Sequence, residues 1–295
     1  MDIRNLQGSV VALITPFHED GSINFDKLGE LVEYHIENKT DAILTLGTTG
    51  ESSTFTHEED DAICSYIIKK ADGRIPVIAG TGSNCTETMV EKSRRAEAAG
   101  ADGLLIITPY YNKGNEEGIY RHFMETADAV NIPCILYNVP GRTACQISEK
   151  NVIRLSKHEN IMGIKEASGD MSYAMKIARH LSDSFRMYSG NDDIAIPIMS
   201  IGGSGVISVS ANIIPRETHD MIFDYINGDR EKAAKTQLKY LELINALFME
   251  VNPIPVKEAM NLMGMEVGNF RLPLYNMAPE NLEKLREVMR RAGIL

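Results

Sequence analysis

Cysteine is scarce in this chain, and its spacing supports no metal or redox motif. Cys64, Cys85, Cys134 and Cys145 form no Cys-x-x-Cys pair, which argues against a zinc finger or a thiol redox site. They read as free thiols of a reducing compartment, and a cytoplasmic location is the expectation. The seven histidines never fall four apart as a helical metal pair would. Neither Gly-x-x-x-x-Gly-Lys-Ser/Thr nor Gly-x-Gly-x-x-Gly occurs, so the nucleotide-binding loops are missing. Basic residues are outnumbered, 30 against 41, for a net charge of −11, and they form no run. Nonspecific binding to nucleic acid or to an anionic membrane is therefore disfavoured. No apolar window reaches the length of a membrane span. Met1–Asn5 lacks the basic region and long apolar run of a secretory leader. No low-complexity linker divides the chain, so independent domains are not expected.

What remains is an ordinary globular composition, 43 % hydrophobic and 24 % charged, over 295 residues. That length suits two small domains or one large α/β barrel with an extension. Apolar, β-branched runs recur at Val10–Ile14, Ala42–Leu46, Ile75–Ala79, Gly103–Ile107, Ile132–Tyr137, Ile161–Lys165, Phe185–Ser189 and Gly205–Val209. Between most of them lie segments of helical periodicity: Asp26–Asn38, a helix opened by the Thr56-His57-Glu58-Glu59 capping box, Thr86–Ala99, Glu116–Val130, Ser148–Ser156 and Ser172–Leu181. A βα unit of roughly 30 residues repeated about eight times predicts a (β/α)8 TIM barrel in residues 1–225. An open doubly wound sheet would have fewer strands and a nucleotide fingerprint. After Ile226 the strands stop. Asp229–Glu250, Pro253–Met263 and Pro279–Ala292 read as helices of a C-terminal extension, 226–295, packed on the barrel or on a neighbouring subunit. The fifteen methionines read as core packing.

Ile161-Met162-Gly163-Ile164-Lys165-Glu166-Ala167-Ser168 is a short apolar strand ending in a lysine. Strict alternation puts Ile161, Gly163 and Lys165 on one face and Met162, Ile164 and Glu166 on the other. Gly163 would leave space beside the lysine. A lysine in a dry cavity loses its proton more easily and can attack a ketone to form a Schiff base. The plainer reading is a strand-end lysine that snorkels to solvent or pairs with Glu166. The other strand ends decide between them, because a barrel builds its active site at the carboxyl ends of its strands. Those ends carry Thr15-Pro16, Gly47-Thr48-Thr49-Gly50-Glu51-Ser52, Gly80-Thr81-Gly82, Thr108-Pro109-Tyr110-Tyr111, Tyr137-Asn138-Val139-Pro140-Gly141-Arg142 and Gly190-Asn191-Asp192-Asp193. Tyr137, in phase with Ile135, faces the lumen of a regular strand and is placed for proton transfer near Lys165. Thr48 could relay that proton to solvent through Tyr111. The N–H groups around Thr48 and Thr49 suit one carboxylate, and Arg142 suits a second by bidentate pairing. Two anion sites flanking an amine describe a keto acid meeting an acidic partner.

The Gly47–Ser52, Thr108–Asn112, Tyr137–Arg142 and Ile164–Ser168 motifs, with Gly205–Ser208 and Asn252–Lys257, resemble the dihydrodipicolinate synthase family of pyruvate-dependent class I aldolases, in order and along nearly the whole chain. The resemblance implies a Schiff-base lyase of lysine and diaminopimelate synthesis that condenses pyruvate with L-aspartate-4-semialdehyde without a cofactor or metal. It implies that Lys165 binds pyruvate, Tyr137 is the general acid/base, and Thr48 links it to a Tyr111 reaching in from a partner subunit. Thr49 would hold the pyruvate carboxylate, Arg142 the semialdehyde carboxylate, and Gly190 and Ile207 would line the pocket. A homotetramer built as a dimer of dimers is expected. Feedback binding of lysine would involve Ser52, Ser53, His57, Asn84 and Tyr110. Asp60 and Thr88 depart from the inhibited pattern, which has a histidine and a glutamate there, so weak or absent lysine inhibition is the expectation.

Two alternatives stay open. A sugar-acid aldolase would share Lys165, Tyr137 and Gly47-Thr48, but usually lacks an arginine at 142. A keto-acid-binding barrel without turnover would be expected to lose Lys165 or Tyr137. A sugar-phosphate barrel fits worse, since Asn191-Asp192-Asp193 places negative charge where phosphate would bind.

Overall fold

Eight parallel strands close on themselves in chain order, β1 pairing with both β2 and β8. They are β1 (Gly8–Ala12), β2 (Ala42–Thr45), β3 (Val77–Gly80), β4 (Gly103–Ile107), β5 (Cys134–Asn138), β6 (Ile161–Glu166), β7 (Arg186–Ser189) and β8 (Gly205–Ser208). The computed structural model describes residues 1–295. Each strand of the expected set is present. Most bounds shift by one or two residues, because apolar runs continue past the last ladder bond into the flanking turns.

Twelve helices surround and extend the barrel: α1 (Phe25–Glu37), α2 (His57–Ala71), α3 (Thr86–Ala99), α4 (Glu116–Asp128), α5 (Pro140–Thr143), α6 (Glu149–Leu155), α7 (Met171–Ala178), α8 (Ala195–Ser200), α9 (Pro215–Ile226), α10 (Arg230–Ala246), α11 (Ile254–Leu262) and α12 (Pro279–Arg291). Their starts follow local chemistry. The Thr56 hydroxyl accepts from the Glu59 N–H at 3.2 Å while the Glu59 carboxylate accepts from the Thr56 N–H at 3.0 Å, a complete capping box. Asn24, Asn115, Ser148, Asp170 and Asp229 cap α1, α4, α6, α7 and α10 with their side chains. No helix is long and apolar enough to cross a membrane.

Strand alternation produces two separate apolar shells. Val11, Ile43, Leu104, Leu136, Ile164 and Met187 join the helices in the outer core. Val10, Leu44, Leu105, Ile135, Tyr137, Tyr188 and Ile207 fill the lumen. Burying each such side chain contributes about 1.5–3 kcal/mol.

Strand β6 departs from strict alternation. Cys134 pairs with Ile161, but Ile135 pairs with Gly163, so Met162 is bulged out of register. Ile161 therefore packs outward and Met162 inward, the reverse of the alternating assignment, while Lys165 still faces in. The role expected of Gly163 also changes. A Cβ there would collide with the Arg186 carbonyl, so glycine is needed for close strand approach. The room beside Lys165 comes from Gly190, where a Cβ would sit 3.0 Å from the lysine Cε.

The extension reaches the active rim. α10 packs on α9 and α12, and Gln237 on it donates to the Asp192 carbonyl at 2.9 Å. α11 buries Lys257 completely.

Candidate active site

The carboxyl end of β6 carries Lys165 into the lumen beside Tyr137 of β5 and Tyr188 of β7, its two register partners. Its ammonium lies 4.4 Å from the Tyr137 ring centroid. Only 6 % of Lys165 is exposed. Burial lowers its pKa from 10.5 to about 8; Asp192 resists the shift and Arg142 adds to it. Asp192, also buried, is itself held by the hydroxyls of Ser208 and Ser210 and by the Val209 N–H. Glu166 is not the lysine's partner. Its carboxylate accepts from Asn138 at 2.8 Å and from the Ser168 N–H and hydroxyl on the other face of the strand. The snorkelling and Glu166-pairing readings of Lys165 both fail on this geometry.

Burial pushes the Tyr137 phenol above its ordinary pKa, with Arg142 and the Thr48 side chain pulling part of the way back. At neutral pH the phenol keeps its proton and can donate it. Thr48 stands in the Gly47–Ser52 turn after β2. There the N–H groups of Gly50, Glu51 and Ser52 bond to the carbonyls of Gly47 and Thr48, which leaves those of Thr48 and Thr49 unengaged. Free N–H groups in a tight turn are a ready anion seat. Thr49 is buried, and its hydroxyl accepts from Asn252 at 3.1 Å. Arg142, on α5, donates to the Asn252 carbonyl at 3.1 Å.

Lys165, Tyr137, Thr48, Thr49, Arg142, Gly190 and Asn252 line one cavity of about 160 Å³. A second, of about 270 Å³, adjoins it through Gly47, Thr48, Tyr137 and Arg142 and is lined further by Ser52, Ser53 and Tyr110. Ile207 packs in the lumenal cluster with Tyr137. Tyr111 is not brought in: it is 92 % exposed, at positive φ, and lines neither cavity of this chain. His57 and Asn84 also lie off the cavity walls, though Asn84 donates to the Tyr110 carbonyl at 3.2 Å. Asp60 is buried and paired at 2.9 Å with Lys92, which lines the second cavity. Sequence reasoning gave Asn252, Asp192 and Glu51 no role in the site, although all three stand in motifs singled out above. Their partners are distant in sequence, so no spacing signals them.

A parallel barrel that sets one buried, softened amine against one phenol at its C-terminal mouth is the architecture of a class I aldolase. The chain belongs to the dihydrodipicolinate synthetase family, whose family model matches residues 5–292. A 4-hydroxy-tetrahydrodipicolinate synthase of Thermoanaerobacter sp. (strain X514) is 56% identical over 290 residues, 98% of this chain and 97% of that one. The crystal structure of dihydrodipicolinate synthase from Aquifex aeolicus is 45% identical, with a TM-score of 0.96 over 98% of this chain and 99% of that one. A structure described as the first monomeric dihydrodipicolinate synthase variant is 37% identical, with a TM-score of 0.97 over 100% of this chain and 99% of that one.

Proposed function

We propose that this lyase joins pyruvate to L-aspartate-4-semialdehyde through a Schiff base on Lys165, in lysine and diaminopimelate biosynthesis. The juxtaposition of Lys165 with Tyr137, 4.4 Å from ammonium to ring, is the observation that carries the reading. The neutral amine adds to C2 of pyruvate, and the carbinolamine loses water to give the imine. Loss of a methyl proton yields the enamine, which forms a carbon–carbon bond to the aldehyde carbon. The amino group of the semialdehyde then attacks the imine carbon, closes the ring and releases the lysine amine. Tyr137 donates and recovers protons at each of these stages, with Thr48 as its relay. The free N–H groups at Thr48 and Thr49 hold the pyruvate carboxylate, while Gly190 and Ile207 shape the seat. Turnover of the two substrates, together with borohydride trapping of pyruvate on Lys165, tests the reading. Trapping without condensation would keep the lysine chemistry and reject the acceptor.

Arg142 is assigned to the semialdehyde carboxylate. Arg142→Ala is expected to raise the KM for the semialdehyde by about 10²-fold or more, the loss of a charge-assisted pair of about 3 kcal/mol. The KM for pyruvate should change far less. Equal effects on both substrates would sink this assignment.

Lysine inhibition is expected to be weak or absent. A lysine ammonium entering beside Ser52, Ser53 and Tyr110 would find Asp60 already neutralised by Lys92, and Thr88 offers no carboxylate. Initial rates across added lysine test this, and half-inhibition at micromolar lysine would refute it.

Tyr111, displayed on an exposed loop, is proposed to complete the relay in a partner subunit of a dimer of dimers. A cytoplasmic site of action goes with this pathway. Sedimentation checks the assembly, and full activity in a monomeric form would remove Tyr111 from the mechanism. The division at residues 225 and 226 is proposed as a boundary between structural segments rather than folding units, because α11 is tied into the barrel by Lys257.

A further inference from the structure

The most deeply buried ion pair in the molecule lies one turn from the site. Lys257 on α11 donates to the Glu51 carboxylate at 2.7 Å, and both side chains are fully excluded from solvent. The same ammonium donates to the Asn269 carbonyl at 2.6 Å and lies 4.2 Å from the centroid of the Phe17 ring. The second Glu51 oxygen accepts from the backbone N–H of Arg271 at 3.2 Å, and the Arg271 guanidinium is clamped by Glu59 at 2.6 and 2.8 Å. Such a pair adds little net stability, because stripping water from two charges offsets most of their attraction.

Its place in the chain suggests another use. Glu51 closes the Gly47–Ser52 turn, whose Thr48 and Thr49 face the cavity. Leu46 and Glu51, at the two ends of that turn, hold positive φ values of 56° and 60°. Non-glycine residues rarely adopt that region, and they stay there only when their surroundings hold them. Two further tethers come from outside the turn: Thr15 donates to the Gly50 carbonyl at 2.8 Å, and Asn252 donates to Thr49. The C-terminal segment thus reaches the turn at three points: Asn252 at Thr49, and Lys257 and the Arg271 N–H at Glu51.

We propose that Glu51 and Lys257 are positioning residues of the reaction, their ion pair holding the Thr48–Thr49 turn in place against Tyr137 and Lys165. The inference rests on the role given above to Thr48 and Thr49 in seating pyruvate. Neither residue of the pair touches the reacting atoms. Removing it would let the turn relax while leaving Lys165, on β6, and Arg142, on α5, where they are.

The test uses the full chain carrying Glu51→Gln with Lys257→Met, which removes both charges and strands neither. The double variant is expected to melt near the parent's temperature. Its KM for pyruvate, and the pyruvate concentration that half-saturates borohydride trapping on Lys165, should both rise about tenfold or more, since small displacements of a seating group carry penalties of that size. The KM for the semialdehyde should stay within about twofold, as Arg142 keeps its own anchor. A folded double variant with the parent's pyruvate values, or one that raises both KM values alike, overturns the proposal. Should the double variant fail to fold, Glu51→Gln alone, which keeps the size and an acceptor, is judged by the same readouts. Trapping is independent of the acceptor, so a wrong second substrate would leave this test intact. A parent that fails to trap pyruvate would overturn the proposed function and this role with it.

Discussion

Lys165→Ala is expected to lower turnover by about 10⁴-fold or more, the usual scale for removing a covalent nucleophile, and to abolish borohydride trapping of pyruvate. No other lysine could substitute, because the only other buried lysine, Lys257, is already engaged with Glu51 and Asn269. Residual trapping in the variant would sink the assignment. A second consequence concerns stability. Lowering the Lys165 pKa from 10.5 to about 8 means that its charged form costs the folded state about 3 kcal/mol. Lys165→Met fills the space with an apolar chain and leaves Asp192 without its nearby cation, so a gain of about 1–3 kcal/mol is expected at pH 7. The sign follows from proton binding. Below pH 8 the lysine is protonated in both folded and unfolded chains, and the full penalty stands. As pH rises from about 8 towards 10.5 the folded amine sheds its proton first, the unfolded chain binds more protons, and the parent gains stability on the variant. Melting curves at pH 7 and pH 10 should show the gap closing. A gap that widened would contradict the placement of the amine in a dry cavity. The same pKa sets the activity profile: kcat/KM should climb with pH through the neutral range and flatten near 8, where the amine is half neutral.

Tyr137→Phe is the second large effect. It keeps the ring that flanks the Lys165 ammonium and removes only the phenolic oxygen. Condensation should fall by about 10²–10⁴-fold, the range for losing a general acid/base. Pyruvate should still be trapped on Lys165, more slowly, because the nucleophile is untouched. The fold should lose less than about 1.5 kcal/mol, the most that one hydrogen bond of the phenol would contribute. A variant retaining half the parent rate would remove Tyr137 from proton transfer. A variant that no longer binds pyruvate at all would show that the oxygen seats substrate rather than moving protons.

Much of the site is legible in one dimension because each barrel strand ends where chemistry is placed. Lys165, Tyr137, Thr48, Thr49, Arg142 and Gly190 all stand at or just after the end of an apolar run, and all six line one cavity. Legibility stops where spacing carries no information. The bulge at Met162 inverts two side chains, and nothing in Ile161-Met162-Gly163 announces it, since every residue there is apolar on either face. Gly163 and Gly190 look alike in sequence. Only the nearby Arg186 carbonyl and the nearby Lys165 Cε tell a close strand contact from a seat for the amine. Tyr111, placed in the relay from its strand end, stands in solvent in the single chain.

Hydrophobic period and strand-end chemistry are local properties. They were enough to specify the eightfold βα alternation, the capped helices, the helical C-terminal segment and the candidate nucleophile. Which charges face the amine was left to the closed barrel. The charge of Asp192 acts on Lys165 from the next strand end, and Lys257 reaches Glu51 from 206 residues along the chain. Electrostatic fields act through space and not along the backbone, so the groups that tune a buried lysine and hold its substrate turn become visible only in three dimensions.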